Sequence, residues 1–263
     1  MTLFKKRTAN SENFCLEREA GQNVLRFLPE VSFACVRFFM RGTLMDGYDG
    51  DMGIIQERLA ATERTLPLLA PRQVHGVEIL EAASSYALPA RPEADGILLA
   101  SFDVEASLRF ADCAPVLVLP SEEWVMGNRP WVLLLHSGYK GTVQNIVHAG
   151  LQKVEQVMGR EAVASASAWI GPCIGGEDYP RTLEAWTERG LAAFHPENVR
   201  EWDGHYYFDL AGEIQKQLWE CGLAPQNIFV SGLNTAETPE CYSYRRGDKT
   251  DRMMLHVWLR EEL

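Results

Sequence analysis

The chain has 263 residues, of which 46% are hydrophobic and 23% charged, and its formal net charge is −11. These values are typical of a globular protein with enough residues for one large domain or two small ones. An acidic chain without a basic stripe lacks the electrostatic pattern of a duplex-binding protein, so we expect no nucleic-acid partner. No apolar run reaches about 18 residues, which predicts no membrane-spanning helix and no membrane partner.

The cysteines and the first residues predict the compartment. Six cysteines are spread over the chain without a Cys-x-x-Cys pair, which favours free thiols over a disulfide framework. The basic residues that follow Met1 are not succeeded by the apolar segment of a secretory signal. We therefore expect a cytoplasmic protein.

In the first half of the chain, apolar runs alternate with short polar segments, a pattern that predicts several strands. Residues 23–28 and 31–39 are predicted to form a β-hairpin. Residues 54–65 have helical apolar spacing. Further strands are predicted at residues 72–80, 94–100, 105–110 and 114–120.

The second half predicts an alternation of strands and helices. Residues 131–136 form an apolar strand, and a glycine-bearing turn at 137–142 leads to a helix that Thr142 would cap and that runs to about Met158. The interleaved elements favour one α/β (α+β) domain over residues 1–263. Later strands are predicted at 168–170, 206–208, 227–231 and 253–259, and later helices at 182–194 and from the cap Asp209 to Cys221.

Three residues beside apolar strands could carry chemistry. Cys113 precedes one strand, while His75 and His136 stand at the ends of two others. Zinc binds imidazole and thiolate together, and three protein ligands leave a fourth position for water or substrate. Alternatively, Cys113 is a nucleophile with either histidine as its base. A third interpretation is that the three are unrelated buried residues, because their sequence spacing carries no metal signature.

Basic and aromatic residues near these positions are candidates for substrate binding. Lys140, Arg72 and Arg246 could bind a phosphate through charge-assisted hydrogen bonds. The turn before the helix offers free N–H groups that favour an anion. Tyr139 or Tyr242 could stack on a base, and a packed aromatic at the rim of the site is an equally good interpretation of either. Asp112, next to Cys113, is more suited to orienting a ligand or capping the turn than to acting as an acid.

Five sequence blocks occur in an order that resembles the YfiH-like family, which also carries the older name multicopper polyphenol oxidoreductase (laccase). That family includes a peptidoglycan editing factor and purine nucleoside phosphorylases, and the resemblance covers roughly residues 20–260. The blocks are Gln-Val-His-Gly at 73–76, Ala-Asp-Cys-Ala-Pro-Val-Leu at 111–117, His-Ser-Gly-Tyr-Lys-Gly at 136–141, Ile-Gly-Pro-Cys-Ile at 170–174 and Tyr-Ser-Tyr-Arg-Arg at 242–246.

The resemblance implies a single domain of mixed β-sheets layered with helices. It also implies a zinc ion on His75, Cys113 and His136, with copper as an alternative. The implied partners are a nucleoside and phosphate. The implied activities are phosphorolysis of adenosine, inosine and methylthioadenosine, and deamination of adenosine. The name laccase fits poorly, because a set of copper centres requires many more histidines.

Several positions depart from the family pattern. The usual His-Ala-Gly-Trp-Arg-Gly is His-Ser-Gly-Tyr-Lys-Gly, so Lys140 keeps the charge of the arginine but loses its bidentate fork. Asn234 replaces the cysteine of a Cys-Thr pair, and Glu57 stands where asparagine is usual. These changes leave the three proposed ligands intact and affect the choice of substrate.

Three functions follow as hypotheses. The first is a zinc-dependent purine nucleoside phosphorylase with adenosine deaminase activity, in which His75, Cys113 and His136 are catalytic. The second is a cysteine hydrolase or amidase that edits peptidoglycan precursors. The third is a metal-binding scaffold without activity.

Overall fold

Two six-stranded β-sheets and a smaller three-stranded sheet make up the β structure of the computed structural model, which describes residues 12–61 and 66–261. In chain order the strands are β1 (Phe14–Glu19), β2 (Gln22–Phe27), β3 (Ala34–Gly42), β4 (Leu68–Leu69), β5 (Ile79–Glu81), β6 (Gly96–Leu99), β7 (Glu105–Phe110), β8 (Ala114–Leu119), β9 (Val132–Ser137), β10 (Ser167–Ile170), β11 (Pro180–Arg181), β12 (Val199–Trp202), β13 (His205–Phe208), β14 (Ile228–Val230) and β15 (Met253–Leu259).

The strand order gives each sheet a mixed topology. The first sheet has the order β1-β2-β3-β15-β7-β4, the second β14-β10-β8-β9-β6-β5, and the third β11-β13-β12. Most pairs are antiparallel, whereas β4 with β7, β5 with β6 and β10 with β14 are parallel. The helices are α1 (Met52–Ala60), α2 (Glu122–Val125), α3 (Tyr139–Val143), α4 (Ile146–Met158), α5 (Arg160–Ala164), α6 (Ala185–Ala193) and α7 (Leu210–Glu220).

The central strands of the second sheet are buried on both faces. In β8 and β9, Leu117 and Leu134 pack with the core of the first sheet, while Val116 and Leu135 pack with the core that includes helices α4 and α7. Strands covered on both sides need apolar residues throughout, which explains their continuous apolar runs. The prediction of an α/β fold of mixed sheets layered with helices is confirmed.

Several predicted elements are confirmed. Strands β2 and β3 form the expected antiparallel hairpin, and β8, β9 and β15 lie where the apolar runs placed them. Helix α7 begins after Asp209, whose side chain accepts a hydrogen bond from the Gly212 N–H. All six cysteines are free. No helix within residues 12–61 and 66–261 is long and apolar enough to cross a membrane.

The strand predicted at 72–80 is wrong over most of its length. Only Ile79–Glu81 is a strand, because the N–H groups of Val74, His75 and Gly76 donate to the Asp95 carboxylate instead of to a neighbouring strand. His75 has a φ of 60°, in the left-handed region. This conformation is rare in a strand, and the chain bends at His75 and Gly76.

The helix predicted from Thr142 to Met158 is divided into two. Helix α3 starts after Gly138, and α4 starts after Asn145, which has a φ of 59° and accepts a hydrogen bond from the His148 N–H. Thr142 therefore lies inside α3, where its hydroxyl donates to the Gly138 carbonyl. Two other helices start at residues different from those predicted. Helix α1 begins at Met52, after its N-cap Asp51, instead of at residue 54, and α6 begins at Ala185 instead of at residue 182. The predicted end of the first helix, at 62–65, lies outside the described residues.

Candidate metal centre and its cleft

The pairing of β8 with β9 brings two of the three predicted ligands together. Pro115 pairs with His136 and Ala114 with Ser137, so Cys113, immediately before β8, lies beside the end of β9. His75 reaches the same point from the loop before β5, with its Nε2 3.8 Å from the Cys113 Sγ. One ligand atom from each of the three residues lies within 4.8 Å of the other two. The structure thus joins residues that are far apart in sequence.

A buried carboxylate that sequence reasoning missed organises two of these residues. Asp95 has no exposed surface, and its Oδ1 accepts hydrogen bonds from the His75 N–H at 2.9 Å and from the His136 Nδ1 at 2.8 Å. Its Oδ2 accepts from Val74 and Gly76. An ionised carboxylate can only accept, so the His136 Nδ1 carries a proton and its Nε2 is left for the site. In the sequence, the only hint of this role was a carboxylate immediately before the apolar strand β6.

Cys113 and His136 strongly perturb each other's protonation. Burial raises the pKa of the Cys113 thiol, but His136 and His75 outweigh this effect and lower it to about 6. Burial lowers the pKa of His136, whereas the Cys113 thiolate and Asp95 raise it to about 9. In the metal-free protein at neutral pH, Cys113 and His136 therefore form a thiolate–imidazolium pair. A thiolate is the form of cysteine that binds metals and attacks electrophiles.

Gly138 leaves room for the three side chains. A Cβ atom at this position would lie 2.7 Å from the Cys113 Sγ and 2.9 Å from the His75 Cδ2. Its φ of −80° is open to any residue, so glycine is required here for space and not for backbone conformation. The first turn of α3 can therefore pass directly over the candidate metal centre.

Two neighbouring side chains position the loops around the centre. Asp112 has a φ of 78°, and its carboxylate accepts hydrogen bonds from the Thr235 hydroxyl and the Arg245 N–H, both at 2.7 Å. Gln73 hydrogen-bonds to the backbone N–H and carbonyl of Arg109. These bonds fix the two segments that carry Cys113 and His75 against β7 and the loop after β14.

The centre forms the floor of a cleft of about 1050 Å³. Four cationic side chains and two tyrosines line it together with the three candidate ligands. These six residues are Arg109, Tyr179, Tyr244, Arg245, Lys249 and Arg252.

The predicted substrate-binding residues lie outside the lining of this cleft. Lys140 on α3 is exposed, with its Nζ over the Trp186 ring. Arg72 forms an ion pair with Glu93.

Arg246 turns towards its own loop, and Tyr139 is part of the core. Arg246 donates to the Thr238 and Cys241 carbonyls and lies 3.8 Å from Asp248. Tyr139 is buried, and its hydroxyl donates to the Trp186 carbonyl. Local sequence could not show which of several neighbouring cations would face the cleft.

Fold and site together define a mixed α/β protein with a His–Cys–His centre suited to one metal ion. The sequence model of the family described as multi-copper polyphenol oxidoreductase laccase matches residues 52–260. A Deinococcus radiodurans protein named purine nucleoside phosphorylase is 34% identical over 189 residues, which cover 71% of this chain and 68% of that protein. Purine nucleoside phosphorylase YlmD of Bacillus subtilis is 32% identical over 174 residues, covering 64% of this chain and 59% of that one.

Solved structures agree with this relationship. YlmD from Geobacillus stearothermophilus superposes with a TM-score of 0.75 at 26% identity, over 94% of this chain and 99% of that one. The Bacillus licheniformis hypothetical protein YfiH gives 0.76 at 20% identity, over 95% and 100%, which supports the fold alone. The chain belongs to the multi-copper polyphenol oxidoreductase laccase family, also called the YfiH family.

Proposed function

We propose that this protein is a cytoplasmic, zinc-dependent purine nucleoside phosphorylase that acts on adenosine, inosine and methylthioadenosine. The observation that carries the proposal is the convergence of His75, Cys113 and His136 at the floor of a cleft lined by cations. The names of the Deinococcus and Bacillus relatives support the same activity.

The donor set supports a single zinc ion. Zinc–thiolate and zinc–imidazole bonds of about 2.3 and 2.0–2.1 Å at a tetrahedral angle put sulfur and nitrogen about 3.6 Å apart. The Cys113 Sγ and His75 Nε2 are 3.8 Å apart, so little movement would be required. Asp95 gives His136 the carboxylate partner that zinc-bound histidines usually have. Within residues 12–61 and 66–261, His75, Cys113 and His136 form the only such group, which argues against a set of copper centres.

The reaction requires an anion and a purine base to be held together. A phosphate oxygen forms a bond to the ribose C1′, the glycosidic bond breaks, and its electron pair leaves with the base, which then takes a proton. When bound, the metal ion would supply Lewis-acid stabilisation of developing negative charge. The cations of the cleft attract the phosphate, and the rings of Tyr179 and Tyr244 offer apolar faces to the base.

We further propose that the same cleft deaminates adenosine. In this reaction water adds to the purine C6 and the 6-amino group leaves as ammonia. Deamination requires no phosphate, so the two activities are separated by omitting phosphate from the assay.

A specific observation favours a second candidate, a cysteine hydrolase or amidase. Cys113, His136 and Asp95 are linked as a nucleophile, a base and a carboxylate that orients the base, and the pKa of Cys113 is lowered to about 6. This is the arrangement of thiol hydrolases. In that case Cys113 would attack an amide of a cell-wall precursor, and metal would not be needed.

The decisive experiment combines metal analysis with nucleoside assays. We expect one zinc ion per chain in the purified protein, and phosphate-dependent release of hypoxanthine from inosine. His75→Ala should lose both, whereas the control His148→Ala, at an exposed position on α4, should keep both. Equal turnover by His75→Ala would exclude the metal site as the active site. Amide cleavage by metal-free protein would support the hydrolase, and bound zinc without any turnover would support a scaffold.

A further inference from the structure

The cations that line the cleft differ from three arginines nearby in having no carboxylate partner. Arg72 pairs with Glu93, Arg41 with Asp248, and Arg246 lies 3.8 Å from Asp248. By contrast, four cations of the cleft form no ion pair with any residue in 12–61 or 66–261. They are Arg109, Arg245, Lys249 and Arg252.

Neutral groups hold these cations in place. Lys249 donates from Nζ to the Tyr244 carbonyl at 2.9 Å, with that Nζ 3.6 Å from the centre of the Tyr244 ring. Arg252 donates to the carbonyls of Asp251 and Lys249, both at 2.8 Å. Arg109 donates to the Pro71 carbonyl at 3.2 Å. Carbonyl groups orient the charged heads without neutralising them.

The carboxylates in the lining are already engaged. Both Asp112 oxygens accept hydrogen bonds, from Thr235 and from the Arg245 N–H, and the Asp49 Oδ1 accepts from the Thr250 hydroxyl. Four cations therefore face two carboxylates in the cleft of a chain whose net charge is −11. A concave surface of one sign concentrates ligands of the opposite sign.

Arg109 experiences this imbalance most directly. It lies on β7 and is half-buried, and burial together with the like charges of Arg91 and Arg252 lowers its pKa to about 10. A dianion beside it would offset the like charges and compensate the guanidinium for the hydration it loses on burial. Gln73, which lies two residues before His75, hydrogen-bonds to the Arg109 backbone. Arg109 is therefore tied to the segment that carries a candidate metal ligand.

We propose that Arg109, Lys249 and Arg252 form a subsite for a phosphoryl group, and that its occupant is inorganic phosphate. The inference rests on the proposed phosphorylase function and assigns its second substrate to named residues, none of which was among the cations singled out in the sequence. Arginine and lysine are the side chains that bind phosphoryl oxygens most effectively. The same chemistry would also accept the 5′-phosphate of a nucleotide.

Steady-state kinetics of the zinc-loaded protein tests the subsite. Initial rates of inosine phosphorolysis are measured against phosphate at saturating inosine, and against inosine at saturating phosphate. Arg109→Gln and Arg252→Gln should each raise the KM for phosphate about 10-fold or more, with the KM for inosine changed less than about twofold. Arg109→Lys should recover part of the loss. The matched control is Arg160→Gln, at an exposed position on α5.

A binding measurement separates failure of the subsite from failure of the proposed function. Inorganic phosphate should raise the melting temperature of the wild-type protein, and this shift should disappear in Arg109→Gln. If the wild type binds phosphate through Arg109 but cleaves no nucleoside, the phosphorylase proposal fails and the anion subsite stands. If the wild type phosphorolyses inosine and the variants keep its KM for phosphate, the subsite is refuted and the phosphorylase stands.

A third assay distinguishes the two sources of a phosphoryl group. Adenosine 5′-monophosphate should be a poorer substrate than adenosine, because its phosphate would compete with inorganic phosphate for one subsite. If the nucleotide is the better substrate and Arg109→Gln abolishes that preference, the group bound here is the nucleotide phosphate, and inorganic phosphate is ruled out as the occupant.

Discussion

Replacing Gly138 by alanine should damage the metal centre while leaving the fold intact. The new Cβ would lie 2.7 Å from the Cys113 Sγ and 2.9 Å from the His75 Cδ2. Ordinary contact begins near 3.4 Å, so the sulfur and the added methyl must separate by about 0.7 Å. Both clashing atoms belong to proposed metal ligands, and movement of either changes the geometry of the centre.

The expected loss of zinc affinity follows from how little a metal site tolerates movement of its ligands. Ligand distances are typically held to within about 0.2 Å, well below the required shift. Substitutions that disturb the orientation of ligands usually cost 10–100-fold in metal affinity, or about 1.4–2.7 kcal/mol. The backbone itself accepts alanine, since a φ of −80° is unrestricted, and the two clashing atoms belong to side chains that can move, so the fold should lose little stability.

Competition with a chromophoric chelator measures the zinc affinity, and calorimetric melting of the metal-free protein measures the fold. Gly138→Ala should bind zinc about 10–100-fold more weakly than wild type, with a melting temperature of the metal-free form that stays close to that of wild type. Gly127→Ala is the control, because nothing lies within 4 Å of its added Cβ. Wild-type zinc affinity in Gly138→Ala would show that this turn does not constrain the ligands and that the centre is not where we place it.

Three further outcomes are expected. Asp95→Ala should weaken zinc binding about 10–100-fold, measured by the same chelator competition, because His136 loses the carboxylate that orients it; unchanged affinity would contradict that role. In metal-free protein, the rate of Cys113 alkylation should rise with a midpoint near pH 6, since the thiolate is present above its pKa of about 6. Zinc should protect the thiol, and a midpoint at the usual thiol value of about 8.5 would contradict the ion pair. Gly190→Ala should destabilise the fold by about 1–3 kcal/mol in urea unfolding, because its Cβ would lie 1.9 Å from the Tyr139 hydroxyl oxygen; wild-type stability would show that Tyr139 can move.

Much of the framework was present in the sequence. The runs around Leu117 and Leu134 are continuously apolar and too short for a typical helix, which favours buried strands. Ordered sequence blocks identified His75, Cys113 and His136 as a possible ligand set and indicated the family. The strands and the family were predictable because they depend on local patterns, and the ligand set could be proposed because metal chemistry restricts ligands to a few residue types.

Only the tertiary structure decided how these residues are held and which cations face them. Asp95 is 20 residues from His75 and 41 from His136 in sequence, and nothing local shows that its four hydrogen bonds turn a predicted strand into the loop that presents His75. Arg245 and Arg246 are neighbours, yet one lines the cleft and the other turns away towards Asp248. Which of two neighbouring side chains faces the cleft depends on contacts between distant segments of the chain. A shift of one residue along the loop would place a different charge in the cleft.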